Sequence, residues 1–225
     1  MTALNKEQLA ARVAQDIPAG AFVNLGIGLP TLVSDHLDPD SGVTLHTENG
    51  LLGMGPAAVG DEIDPDLVNA GKIAVTEMPG ASYFNQAESF AMMRGGHIDV
   101  CVLGAFEVSV EGDLANWSTG TPDAIPAVGG AMDLAVGARL TWVMMNLFTK
   151  SGEPKLVETC TLPLTGVGCV SRIYSDVAVF DVGVKDDAGS PLPPRVLETF
   201  GITFDELQDR LGLTLLDHTE SGAGS

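Results

Sequence analysis

Between residues 21 and 182 the chain keeps returning to short, mostly apolar runs. They are "AFVNL" (21–25), "VTLHT" (43–47), "KIAVTEM" (72–78), "IDVCVLGAFEVSV" (98–110, broken at Gly104), "LTWVMM" (140–145) and "VAVFDV" (177–182). A strand with one wet face alternates apolar and polar residues; a strand covered on both faces does not. Helical patterns lie between the runs. Leu9, Val13 and Ile17 recur every fourth residue and predict a first helix from Asn5, stopped by Pro18 and Gly20. Pro30 suits the first turn of a second helix, "PTLVSDHL". Asn85 with Glu88, and Thr203 with Glu206, are capping-box pairs, and "AMDLAVGA" reads as a further short helix. The pattern predicts an α/β fold: a single domain over residues 1–216, with a largely buried, mostly parallel or mixed sheet flanked by helices. A polar, disordered tail is expected over 217–225.

Charge narrows the partners. The 225 residues carry 11 Lys and Arg against 30 Asp and Glu, a net charge of −19. Such a chain has no basic footprint for nucleic acid or for an anionic membrane surface. No apolar stretch reaches the roughly 18 residues that span a bilayer, and the amphipathic N-terminus is no signal peptide. Cys101, Cys160 and Cys169 are odd in number and unrelated in spacing, which predicts reduced thiols and a cytoplasmic location. A polyphosphate ligand on this chain would need positive charge from another chain.

Few residues stand out as reactive. His36, His46 and His97 lack any metal-ligand spacing and read as packed or hydrogen-bonded histidines, so no metal site is expected. No GxSxG elbow occurs, and Cys101 lies inside an apolar strand, where a thiol is inert. "VNLGIGLPT" offers Gly26-x-Gly28 between a strand and a helix, with Glu48 20 residues beyond Gly28. That is part of a dinucleotide fingerprint, but Thr31 holds the third glycine position. The stretch "LHTENGLLGMGP" (45–56) puts Glu48 at the end of an apolar run and before a glycine-rich bend. A glutamate before Asn-Gly is by default an exposed turn residue. The carboxyl end of a buried strand is also where α/β sheets bind ligands, and a partly dry carboxylate near glycine backbone suits a nucleophile shielded from water.

The same stretch resembles the catalytic-glutamate signature of the class I coenzyme A transferases, in particular their β subunits. "FVNLGIGLP", "LVNAGK" (67–72), "PGASYF" (79–84), "SFAMMRGGHID" (89–99), "GDLANW" (112–117), "VGGAMDL" (128–134), "CTLPLTG" (160–166) and "VSRIYSD" (170–176) follow in the family's order. The likeness runs from about residue 5 to 215. Thr47 stands where the family usually has serine. The resemblance implies transfer of CoA from succinyl-CoA to a 3-oxoacid, with 3-oxoadipate favoured over acetoacetate by residues 125–145. It implies Glu48 as the catalytic nucleophile and Gly129 and Gly130, ahead of the "AMDL" helix, as oxyanion donors. Asn49 positions the acyl group or shapes the turn, and Gly26 and Gly28 approach the pantetheine arm. No permanently bound cofactor is implied; the CoA thioester is a substrate. The active unit implied is a heteromer with an α subunit. The alternative is a non-catalytic nucleotide-binding protein using the Gly26/Gly28 loop.

Overall fold

The computed structural model describes residues 2–120 and 129–219. Its first element, α1 (Lys6–Asp16), opens with a full capping box: Asn5 Oδ1 accepts the Gln8 N–H, and the Gln8 side chain accepts the Asn5 N–H. Its buried stripe, Leu9, Ala10 and Val13, packs on the sheet.

Five parallel strands form the centre. They are β1 (Phe22–Leu25), β2 (Thr44–Thr47), β5 (Val100–Leu103), β8 (Leu140–Met145) and β10 (Val170–Ser175), in the spatial order β2-β1-β5-β8-β10. Antiparallel pairs extend both sides. Next to β2 lie β3 (Leu51–Ala57) and β4 (Val75–Tyr83); next to β10 lie β11 (Ala178–Asp181) and β12 (Arg195–Thr199). A short β13 (Leu216–Asp217) pairs in parallel with β12 and completes ten strands. Asp217, read from sequence as the first tail residue, therefore belongs to the sheet, while residues 220–225 of that tail lie outside the described residues. A small second sheet joins β6 (Glu107–Ser109), β7 (Leu114–Ala115) and β9 (Leu156–Val157).

The sheet is covered on both faces, which explains the unbroken apolar strands. Val100, Val102, Trp142, Met144, Tyr174 and Val179 point to the α1 face. Their chain neighbours Cys101, Leu103, Val143, Met145, Ile173 and Phe180 point to the other. There they meet Met93 from α2 (Gln86–Arg94), Leu134 from α3 (Ala131–Gly137) and Leu207 from α4 (Phe204–Leu211). Side chains alternate strictly across the pleat, so one strand feeds two cores.

Several local readings differ from the structure. "PTLVSDHL" folds as a 3-10 helix, Leu29–His36, rather than an α-helix. The glycine-rich bend after Glu48 is strand β3; Gly53 and Gly55 allow close approach, since a Cβ at 53 would sit 3.1 Å from Ala81 Cα and one at 55 would overlap the Thr76 hydroxyl. Strands β10 and β12 follow turn-rich stretches that periodicity alone did not mark. Of the two capping boxes, Asn85–Glu88 is complete, whereas Thr203 accepts the Glu206 N–H without the reciprocal bond.

Candidate active site

The chain leaves β1 towards β2 on one side and reaches β5 on the other. At such a reversal, connections diverge and leave a crevice outside the carboxyl ends of the strands. Here a cavity of about 450 Å³ opens at that point. Gly26 and Ile27 follow β1, Thr47 and Glu48 end β2, and Gly104 and Phe106 follow β5. Gly129, Gly130 and Leu134 close one wall.

Glu48 enters this cavity from a tight hairpin. Thr47 faces Leu51 across β2 and β3, so Glu48, Asn49 and Gly50 form the loop. Gly50 has φ 111°, and a Cβ there would overlap the Phe84 carbonyl oxygen. Only glycine meets both demands. The hairpin is pinned on every side. Gly50 N–H donates to the Thr47 carbonyl at 3.1 Å, and Phe84 N–H to the Gly50 carbonyl at 3.0 Å. Leu51 N–H donates to the Thr47 hydroxyl at 3.0 Å. The Asn49 amide donates to the Val68 carbonyl at 2.8 Å. That last bond ties the hairpin to the loop of Asn69, Ala70 and Gly71, which also lines the cavity.

Glu48 is half-buried and lies against Gly130: a Cβ on residue 130 would overlap Glu48 Oε2. Among the described lining residues Glu48 is the sole acidic side chain, and there is no Lys or Arg. A carboxylate in such a place faces an apolar and backbone-rich space with little water to compete for its oxygens.

The structure brings together Gly26, Glu48, Gly129 and Gly130. It separates two others. Asn49 is exposed and outside the lining, with its amide committed to Val68. Gly28, at φ 94°, turns the chain into the 3-10 helix and is not a lining residue. Gly26 is held by its N–H donating to the Val102 carbonyl at 2.8 Å; a Cβ would sit 3.1 Å from that oxygen, so glycine lets the end of β1 lie close to β5. The dinucleotide arrangement loses its α-helix N-terminus, because a 3-10 helix stands there. With seven residues, α3 is too short for a macrodipole argument, so any donor role of Gly129 and Gly130 rests on their backbone N–H groups alone.

His46 is buried and hydrogen-bonded, as read from sequence; Asn24, Ser89 and Asn116 were not singled out. Asn24, His46 and Ser89 are 3%, 2% and 0% exposed and hydrogen-bond to one another. Burial pushes the His46 pKa down to about 4, so the ring is neutral at pH 7. Asn116 is fixed by the Thr165 hydroxyl and by donating to the Gly104 carbonyl at 3.0 Å. For Asn24 and His46 the signal was a polar side chain inside a buried strand; Ser89, on α2, and Asn116, after β7, carry no such signal. Cys101 behaves as read: fully buried, its thiol pushed up to about 12 by burial. Among the described residues no group of His, Cys, Asp or Glu is arranged to hold a metal, and no helix is long and apolar enough to cross a membrane.

Comparison with known proteins agrees with this geometry. Residues 6–196 match the family Coenzyme A transferase. The B subunit of the 3-oxoadipate CoA-transferase of Pseudomonas putida is 57% identical over 95% of this chain and 97% of its own length. The B subunit of the probable succinyl-CoA:3-ketoacid coenzyme A transferase of Bacillus subtilis is 51% identical over 78% of this chain and 81% of its own. In fold, the chain superposes on the acyl-CoA transferase YdiF of Escherichia coli O157:H7 with a TM-score of 0.72 at 18% identity, over 98% of this chain and 43% of that one. The matched length, the fold and the carboxylate at the strand crossover lead to one conclusion: this chain belongs to the coenzyme A transferase family.

Proposed function

We propose that this chain is the B subunit of a succinyl-CoA:3-oxoacid CoA-transferase whose acceptor is 3-oxoadipate, and that Glu48 is its nucleophile. The observation that carries the reading is the Glu48 carboxylate lying against Gly130 inside the cavity at the crossover of β1 and β5. Near-complete coverage of relatives named for 3-oxoadipate supports the choice of acid.

A Glu48 oxygen attacks the thioester carbonyl of succinyl-CoA. The C–S bond breaks, CoA leaves as thiolate, and a mixed anhydride of Glu48 and succinate remains. The thiolate then attacks the Glu48 carbonyl and releases succinate, which leaves a glutamyl-CoA thioester. The 3-oxoadipate carboxylate attacks that thioester, and the steps run in reverse to give 3-oxoadipyl-CoA and free Glu48. Two half-reactions through one covalent intermediate give ping-pong kinetics. Each acyl carrier is a thioester of similar energy, so no ATP is needed. Gly129 and Gly130 N–H groups stabilise the oxyanion of each tetrahedral intermediate, a contribution of about 3 kcal/mol per donor.

The partner is the A subunit of the same transferase. The described cavity lining has one acidic side chain, no Lys or Arg and a neutral His46, so neutralisation of the substrate carboxylate and the CoA phosphates falls to groups beyond the lining, including the partner. The test is mass spectrometry of the two-subunit enzyme mixed with succinyl-CoA. A CoA adduct on the Glu48 peptide, absent in Glu48→Gln, is expected. An adduct on another residue, or none, defeats the assignment.

A further inference from the structure

Behind Glu48 runs a buried polar chain whose direction the structure determines. The parallel register sets Asn24 beside His46 across β1 and β2. The Asn24 amide nitrogen lies 3.1 Å from the His46 carbonyl oxygen, which can only accept, so that atom is the donor. The same nitrogen lies 3.0 Å from His46 Nδ1, which therefore accepts. The ring proton then sits on Nε2, 3.0 Å from Ser89 Oγ. Having accepted it, Ser89 turns its own hydrogen to the Thr47 carbonyl, 3.2 Å away. That carbonyl belongs to the peptide unit that leads into Glu48. Every donor in the run meets an acceptor, and every member is buried.

From this geometry we infer that His46 and Ser89 are positioning residues for the nucleophile. Neither touches the reacting atoms. Ser89, on α2, holds the Thr47–Glu48 peptide plane, and His46 holds Ser89 in the donating orientation. The plane sets the direction of the Glu48 Cα–Cβ bond and so the approach of its carboxylate to the thioester. Displacement of a reacting group by about 1 Å can cost on the order of 10²-fold in rate. A neutral chain suits this task. An imidazolium would donate from Nδ1 as well and would confront the Asn24 amide with donor against donor.

This inference rests on Glu48 being the nucleophile, and the experiment separates the two. In the two-subunit enzyme, the rate of appearance of the Glu48–CoA thioester after mixing with succinyl-CoA is followed in wild type, Ser89→Ala and His46→Gln. The expected result is a fall of about 10- to 100-fold in that rate for Ser89→Ala, with KM moved less than about threefold, because the grip on CoA lies elsewhere. Ser89→Cys, which keeps a weak donor, recovers part of the rate. If Ser89→Ala does not assemble, the imidazole 15N shifts of His46 in the intact wild-type enzyme decide instead. A proton on Nε2 with Nδ1 bare is required, and the opposite tautomer or a charged ring overturns the inference. So does a Ser89→Ala enzyme that forms the adduct at the wild-type rate. Absence of the adduct in wild type strikes the proposed function instead.

Discussion

Two polar clusters among the described residues, one beside α1 and one behind Glu48, are built on opposite principles. Beside α1, Arg12, Asp16, Arg172, Asp181 and Glu198 form an ion-pair network. Arg12 Nη1 lies 2.8 Å from Asp16, Arg172 Nη1 3.1 Å from Asp16, and Arg172 Nε 2.7 Å from Asp181. Arg12 also pairs with Glu198 through two guanidinium nitrogens, and the Tyr174 hydroxyl donates to Asp16 at 2.7 Å. Burial alone would raise the Asp16 pKa, but hydrogen bonds from Arg12 and Tyr174 outweigh it and hold the carboxyl below the usual range. Behind Glu48, Asn24, His46 and Ser89 form a chain with no net charge. The ionic cluster fastens α1 to β10, β11 and β12 through charge-assisted hydrogen bonds. A run of single uncharged hydrogen bonds is directional and works without net charge. The difference teaches that charge ties elements together at the helix-covered face, while an uncharged chain lies beside the cavity.

Substitutions can break or sharpen that contrast. Glu48→Gln gives the largest effect: loss of exchange by about 10⁴-fold or more with the melting temperature unchanged, measured in steady-state assays and calorimetry. A drop in melting temperature would move Glu48 into the structural class. The neutral chain has a pH signature. His46 is depressed from its ordinary 6.5 to about 4, so the unfolded state binds more protons between those values. The stability due to the neutral ring is complete above about pH 6.5, is lost as pH falls towards 4, and amounts to about 3 kcal/mol. Denaturant unfolding from pH 7 to 4 should show this slope, and His46→Gln should flatten it. Gly130→Ala should lower kcat by about 10²-fold without unfolding the chain, because its methyl displaces the Glu48 carboxylate. Arg172→Met leaves Asp16 and Asp181 short of a partner and should cost about 2 kcal/mol of stability, with kcat unchanged below the melting transition.

What the sequence made legible was local. Continuous apolar runs announced a sheet covered on both faces, and Asn85 with Glu88 announced a helix start because both partners lie within one turn. Spacing alone left Glu48 an exposed turn residue before Asn-Gly; the resemblance of residues 45–56 to the coenzyme A transferase signature singled it out. Strand β3 was not legible, because Gly50, Gly53 and Gly55 read as a bend when they are concessions to Phe84, Ala81 and Thr76 across the sheet. The 3-10 helix was mistaken for an α-helix because Pro30 suits the first turn of either. Ser89 was beyond reach altogether. Its meaning depends on His46 and Thr47, which meet it only when α2 packs on β2.

Position 130 has one further consequence. The space a methyl group would fill there is occupied by the end of a side chain from residue 48. Volume at the two positions is therefore common property, and drift in one can be accommodated by its counterpart. A lineage that shortened residue 48 to aspartate would gain room for alanine at 130, whereas either change alone would leave a gap or a collision. Paired replacement of these two residues across distant homologues is the trace this arrangement would leave.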